Sequence, residues 1–321
     1  MLKVHFTDAD LAKLTIAESA DPMWELLTSL YRLRRPEGEP FFGRWRRETR
    51  SAVSAPGRQL MSAVPPYGYC PDFLTPAMPS TTLAEGVAAL EETSSRTLRR
   101  DIDELAAENP RLPPWLGRLR YGNRRDLRQL GDAVRGYFSG HIAPYWPVLS
   151  KAVAQERARL LAALERGGPQ LVLSTLHPDM QWRPPVLAVR FPVEQDLHLD
   201  GRGLRLIPAF FGHGMPTTYK NTDLPPVLVY SIDHHPMLER GSEPGASLSA
   251  LLGPTRARVL MAIAGGSCST SELALLTGIS VASASQHASV LRDSGLSCAV
   301  RQGRAKSHQV SPLGLAIIRA G

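Results

Sequence analysis

Near the carboxyl end of this 321-residue chain, Ser283, Gln286 and Ser289 recur at a helical spacing, flanked by Ser285 and His287, with Ser280 before them and Arg292 after. Apart from Arg292, these side chains hydrogen-bond without a fixed charge. A glutamine amide donates and accepts at once, which matches the edge of an adenine, and small hydroxyls let a helix enter a major groove closely. A few residues on come Arg301, Arg304 and Lys306, around the turn Arg301-Gln302-Gly303-Arg304. Cations at a hairpin tip suit phosphates or the minor groove, where charge positions a protein without reading sequence. The expected division of labour is Ser280 and Ser283 on phosphate or base, Gln286 on a base edge, His287 on the backbone or in packing, and the three cations on flanking phosphates. The partner so implied is double-stranded DNA.

Other chemistries find less support. There is no Gly-x-Ser-x-Gly, no Gly-x-x-x-x-Gly-Lys and no His-Glu-x-x-His, so no enzymatic activity and no cofactor is expected. His177, Asp179, His198, His213, His234 and His235 are of the types that ligate metals, but their spacing matches no closed site, and strand-end or loop histidines are the plainer reading. Cys70 has no neighbouring cysteine or obvious activating base. Cys268 and Cys298 flank the polar segment and, with His308, are the residues a metal- or thiol-responsive variant would use. Two further readings stay open: an enzyme tethered to a DNA module, and a module that binds protein instead of DNA.

The elements that must hold these groups are legible. Ser269, three residues before Glu272, forms a reciprocal capping box, and Leu273 and Leu276 give the helix it opens an inward face. Gly278 stops that helix at a reversal that needs a positive φ, and Ile279 is expected in the elbow. Ser280 caps a second helix, in which Val281, Ala284, Ala288 and Leu291 form one apolar stripe. Gly295 ends it, and Leu296 to Val300 and Ala305 to Val310 read as the two strands of the cationic hairpin.

Leu248 to Ser311 resembles the ArsR-type winged-helix repressors, with LLGPTRARVLMAIA as the helix before the motif, SELALLTGIS as its first helix and ASASQHASVLRDSGL as the recognition helix. The resemblance implies a transcriptional regulator acting as a homodimer on a palindromic operator. Metal sensors of that family carry paired cysteines in the first motif helix, or Asp and His on a carboxyl-terminal helix. Here Ala274 to Thr277 and LGLAIIRAG stand at those places. Long amino-terminal regions precede such modules in regulators resembling those of actinomycetes.

Charge and aromatic content divide the chain. From Leu248 onward there are seven basic and two acidic residues, so +5 of the net +7 lies in the last quarter, whereas every Trp, Tyr and Phe lies at or before Tyr230. The Gly-, Ser- and Pro-containing stretch 234–247 is the expected linker between a domain at 1–233, a candidate ligand or dimerisation domain, and a winged helix-turn-helix at 248–321. Three scattered cysteines, no long apolar run and no signal-like start point to the cytoplasm and away from membranes.

The expected fold class is α+β: a helical amino-terminal domain with a small antiparallel sheet, then the winged helix. Leu2 to Phe6 reads as a strand, followed by a helix from Thr7 or Asp8 to about Ala20. A helix opening at Pro22 places Trp24, Leu27, Leu30 and Leu33 on one side; the next, Phe41 to Val53, turns Phe42 and Trp45 in and Arg44, Arg46, Arg47 and Arg50 out as a solvated face. Leu60 to Pro79 is irregular, and Tyr67, Tyr69 and Phe73 would suit either a pocket or a loop packed on the core. Helices are expected in Thr82 to Ala107, where charges self-pair on the surface, in Asn123 to Ser139, and in Ala143 to Glu165, with Val148 among its buried residues and Gly167-Gly168-Pro169 as its stop. Strands follow at Leu171 to Leu176, Val186 to Arg190, Leu204 to Pro208 and Val227 to Tyr230, with a hairpin turn at His198 to Leu204.

Overall fold

The computed structural model describes residues 1–34, 39–65, 68–78, 80–109, 111–212, 215–232, 246–264, 268–302 and 305–320. The chain divides into two compact units, Met1–Ile232 and Asp233–Gly321.

In the first unit, strand β1 (Leu2–His5) lies inside a four-stranded sheet of order β3-β4-β1-β5, with β3 Met180–Arg183, β4 Val186–Val189 and β5 Gln195–His198. Leu2 and Val4 alternate with outward residues, and the inward pair packs on Leu187, Val189 and Leu160 of the long helix α9 (Trp146–Ser174). A second sheet joins β2 (Thr15–Ile16), β6 (Arg205–Ala209) and β7 (Val227–Ser231). Of the strands expected in an antiparallel sheet, β4 does pair antiparallel, with β1 and with β3, a strand sequence reasoning missed. The expected antiparallel arrangement fails for β6 with β7, which run parallel, as do β1 with β5 and β2 with β6. The segment His198 to Leu204 is accordingly a crossover between sheets, turned through positive φ at Asp200, Gly201 and Gly203.

Several expectations change once distant partners are in place. Helix α1 (Asp8–Ala12) stops well short of Ala20, because Thr15 and Ile16 pair with Arg205 and Leu206; β-branched residues suit that ladder. Leu171 to Ser174 is helical: α9 breaks at Gly167 and Gly168 (φ 64°) and resumes behind Pro169, burying Val172 and Leu173. Short apolar runs fit either state, and the sheet had no place for this one. Val148 points outward at 53% exposure, since Leu149, Ala152 and Val153 supply the inward side of that turn.

Helix α2 (Pro22–Arg34) is buried on nearly every side rather than along one stripe. Helix α3 (Glu39–Ala52) follows; Arg47 and Arg50 are exposed as expected, the side chain of Arg44 lies outside the described residues, and Arg46 departs from the expected solvated face. Arg46 is buried and donates to the Arg32 carbonyl at 3.0 Å, and Arg50 donates to the Leu33 carbonyl at 2.9 Å. Cations thus meet the unsatisfied carbonyls at the negative end of α2. Glu25, also on α2, is fully buried and accepts from the Phe210 and Phe211 amides at 2.7 and 3.0 Å. Asp101 is buried too, accepting from the Phe73 amide and from Arg100, so the charges of helix α6 (Ser95–Glu108) do not simply pair at the surface. Tyr69 borders a cavity, Phe73 is core, and Tyr67 lies outside the described residues.

Candidate nucleic-acid interface

The second unit builds its polar helix from the caps upward. The Ser269 hydroxyl accepts from the Glu272 amide at 3.3 Å, while the Glu272 carboxylate accepts from the Ser269 amide at 2.7 Å. This backbone donor, joined by the Ser269 hydroxyl, holds the Glu272 carboxyl below its ordinary range. The first motif helix, Thr270–Thr277, ends at Gly278 with φ 67°, and the Ile279 amide returns to the Ala274 carbonyl. Ser280 then caps the second motif helix, Val281–Asp293, by accepting from the Ser283 amide at 3.2 Å.

Three residues of that second helix fix its inner side: Ala284 and Ala288 are fully buried and Leu291 nearly so, packed with Leu260, Ile263 and Leu273. Two alanines in succession let the helices approach closely. Val281, expected on the same stripe, is 53% exposed because it sits in the first turn, beyond the core layer. Leu276, expected inward, is 66% exposed; Leu273 and Ala274 serve that helix's inner side.

The outward side carries the residues singled out from the sequence. Ser285 and Gln286 are exposed, and Ser283, His287 and Ser289 are half-buried around them. The Ser280 hydroxyl is engaged as a cap, which orients the helix start. Arg292 is half-buried and paired with Asp293 at 3.0 Å, so part of its charge is answered within the protein. Beyond Gly295, Leu296 plugs into the core and its amide bonds the Leu291 carbonyl.

Strands β9 (Ser297–Gln302) and β10 (Ala305–Val310) pair antiparallel with Lys306 opposite Arg301. Arg304 and Gly303 lie outside the described residues, as do the side chains of Arg301 and Lys306. The backbone register nonetheless sets those two positions face to face at the end of the ribbon. Sequence reasoning missed the third strand, β8 (Cys268–Ser269), which pairs with β10 at Ser307 and His308. It also missed the break at Gly253 (φ 82°), which splits the helix preceding the motif into Ala246–Leu252 and Pro254–Ala264; the Gly-Pro pair was the available signal.

His308 is buried, its ring within 3.1 Å of the Thr270 hydroxyl, tying β10 to the first motif helix. Cys298 is exposed and pairs with Gln309, one residue along, so it faces the other side of the ribbon from His308. The side chain of Cys268 lies outside the described residues. In the first unit, burial pushes the Cys70 thiol up, the opposite direction from a reactive thiolate. His177 and Asp179 border the cavity, whereas His198 stacks on His5 with ring centres 4.3 Å apart. His213, His234 and His235 lie outside the described residues, among which no three His, Cys, Asp or Glu side chains are grouped to hold a metal.

A capped helix-turn-helix with a polar outer surface and a basic-sequence ribbon can lie in a groove with phosphates on either side. Residues 253–296 match the family model described as bacterial regulatory protein, arsR family. Neither the curated proteins nor the solved structures contain a match to the chain. No helix among the described residues is long and apolar enough to cross a membrane.

Proposed function

From the premise that residues 253–296 form an arsR-family helix-turn-helix, which supports a DNA-binding regulator, we propose that the chain is a cytoplasmic transcriptional regulator binding a pseudo-palindromic operator as a homodimer. The helix Val281–Asp293 enters the major groove, Ser283, Ser285, Gln286 and Ser289 address base edges and nearby phosphates, His287 supports the backbone contact, and Arg301, Arg304 and Lys306 hold the flanking phosphates. The amino-terminal unit contributes control by a small molecule, and the chain catalyses no reaction of its own. The observation that carries this reading is the exposed Ser285-Gln286 pair on a helix whose opposite side is locked by Ala284, Ala288 and Leu291.

Genomic fragments retained by the full chain supply the test. Enriched fragments should share an inverted repeat, and binding should weaken steeply with salt as bound phosphates are exchanged for counterions. Retention of no fragment at low salt would refute the reading, as would binding indifferent to sequence.

A further inference from the structure

Within the amino-terminal unit, a cavity of about 560 Å³ opens at the carboxyl ends of the parallel strands β6 and β7. Its wall includes Phe211 and Gly212, just past β6, and Tyr230 and Ser231, which end β7. Helix α2, the helix that follows the third strand of that sheet, closes one side with Trp24, Thr28 and Tyr31. In open α/β sheets ligands sit beyond the carboxyl ends of parallel strands, and this volume falls in the range of small-molecule sites. The rim is built rather than incidental. Glu25 grips the amides of Phe210 and Phe211, and Gly212 permits a close backbone approach, since a Cβ there would meet the Ser231 Cα at 3.0 Å.

The lining defines the occupant. Trp24, Tyr31, Tyr69, Phe211 and Tyr219 offer flat apolar surface. The phenol of Tyr219 is already given to the Thr75 carbonyl at 2.8 Å. Of the charged groups at the wall, Asp179 and Arg190 are exposed and Lys220 pairs with Glu104; the others are engaged by the protein. Asp72 accepts from the Lys220 and Asn221 amides, Glu108 from the Tyr69 amide, and Arg32 donates to the Gly212 carbonyl while lying 4.4 Å over the Phe42 ring. Against the buried part of the wall, a charged ligand would therefore be desolvated with little to offset it. The hydroxyls of Thr28 and Ser231 can serve as acceptors. Thr28 donates its proton to the Trp24 carbonyl at 2.8 Å, and Ser231 donates its own to the Gly212 carbonyl at 2.8 Å, which leaves oxygen lone pairs available.

We propose that this cavity binds a flat, uncharged aromatic molecule carrying a hydroxyl group, its ring among the aromatic side chains and its hydroxyl donating to Thr28 or Ser231. A regulatory consequence of binding rests on the function proposed above. The binding itself does not, and is measured without DNA.

Isothermal titration of the full chain with 1-naphthol, naphthalene-1-carboxylate and 1-naphthylmethylammonium at neutral pH tests it. The expected result is one site for 1-naphthol, at least about tenfold tighter than either charged analogue. Thr217→Trp, which fills the cavity from its half-buried wall, should weaken 1-naphthol about tenfold or more. Should that variant fail to fold by circular dichroism, Val193→Trp plugs the exposed side of the same cavity and carries the same expectation. Absence of 1-naphthol binding, equal affinity for the three probes, or undiminished binding by a folded filling variant would each overturn the proposal. Because no arm uses DNA, failure here leaves operator binding standing, and failure of operator binding leaves this result intact.

Discussion

Raising the pH should unfasten the amino-terminal unit through Glu25. Burial pushes this carboxyl up from an ordinary 4.5 to about 8, outweighing the two backbone amides that favour its ionised form; nearby Asp21 adds to the rise. A carboxyl with a raised folded pKa binds its proton more tightly in the folded chain. Its contribution to stability is therefore fully present below about pH 4.5 and is lost as the pH climbs to about 8. At about 1.4 kcal/mol per tenfold in proton affinity, the loss across that window comes to about 5 kcal/mol, as large as the whole stability of many domains. Glu25→Gln keeps the volume and one acceptor oxygen but cannot ionise, so the variant should lose this share of the slope. Asp72, raised to about 6, and Asp21, also raised, act in the same direction but are common to both proteins and cancel in the comparison. Urea unfolding followed by tryptophan emission between pH 5 and 9 reads the effect cleanly, since all five tryptophans lie at or before Trp182. Parallel pH profiles for the two proteins, or a native chain that gains stability between pH 5 and 8, would refute the reasoning.

Gln286→Ala should relax preference at one operator position by about 1 to 3 kcal/mol, measured by competition among single-base variants; equal loss on specific and random DNA would remove its assigned role. Arg304→Ala should weaken all sequences alike and lower the salt slope by about one, read from binding isotherms at several ionic strengths. Ser269→Ala removes half of the capping box and should cost about 1 kcal/mol in unfolding of the carboxyl-terminal unit, followed by its helical circular dichroism. Leu273→Ala hollows a fully buried position between the motif helices and should cost about 2 to 5 kcal/mol by the same measurement.

Much of the carboxyl-terminal unit was readable because its signals are local. Ser269 with Glu272, Gly278, Ser280 and Gly295 each act within a few residues of their partners, and all appear where local chemistry puts them. Phase was harder. In helices of two or three turns, the spacing of Leu273 and Leu276, or of Val281 and Ala284, fits a stripe that only one of each pair occupies, because the core layer is shorter than the helix. The amino-terminal unit hid more, since its decisive contacts are distant in sequence. Nothing near Glu25 announces that its partners are the amides of Phe210 and Phe211, and nothing near Arg46 announces the carbonyl of Arg32. Likewise, Thr15 and Ile16 become a strand only because β6 runs alongside them.

The position of β1 also bears on how the chain is made. Its two neighbours, β4 and β5, are encoded about 180 to 195 residues later, so β1 waits for most of the unit to be synthesised before it can be paired. At synthesis rates of about 5 to 20 residues per second, that delay lasts on the order of ten seconds or more. Throughout it, Leu2 and Val4 lack the strands and core that bury them in the folded unit.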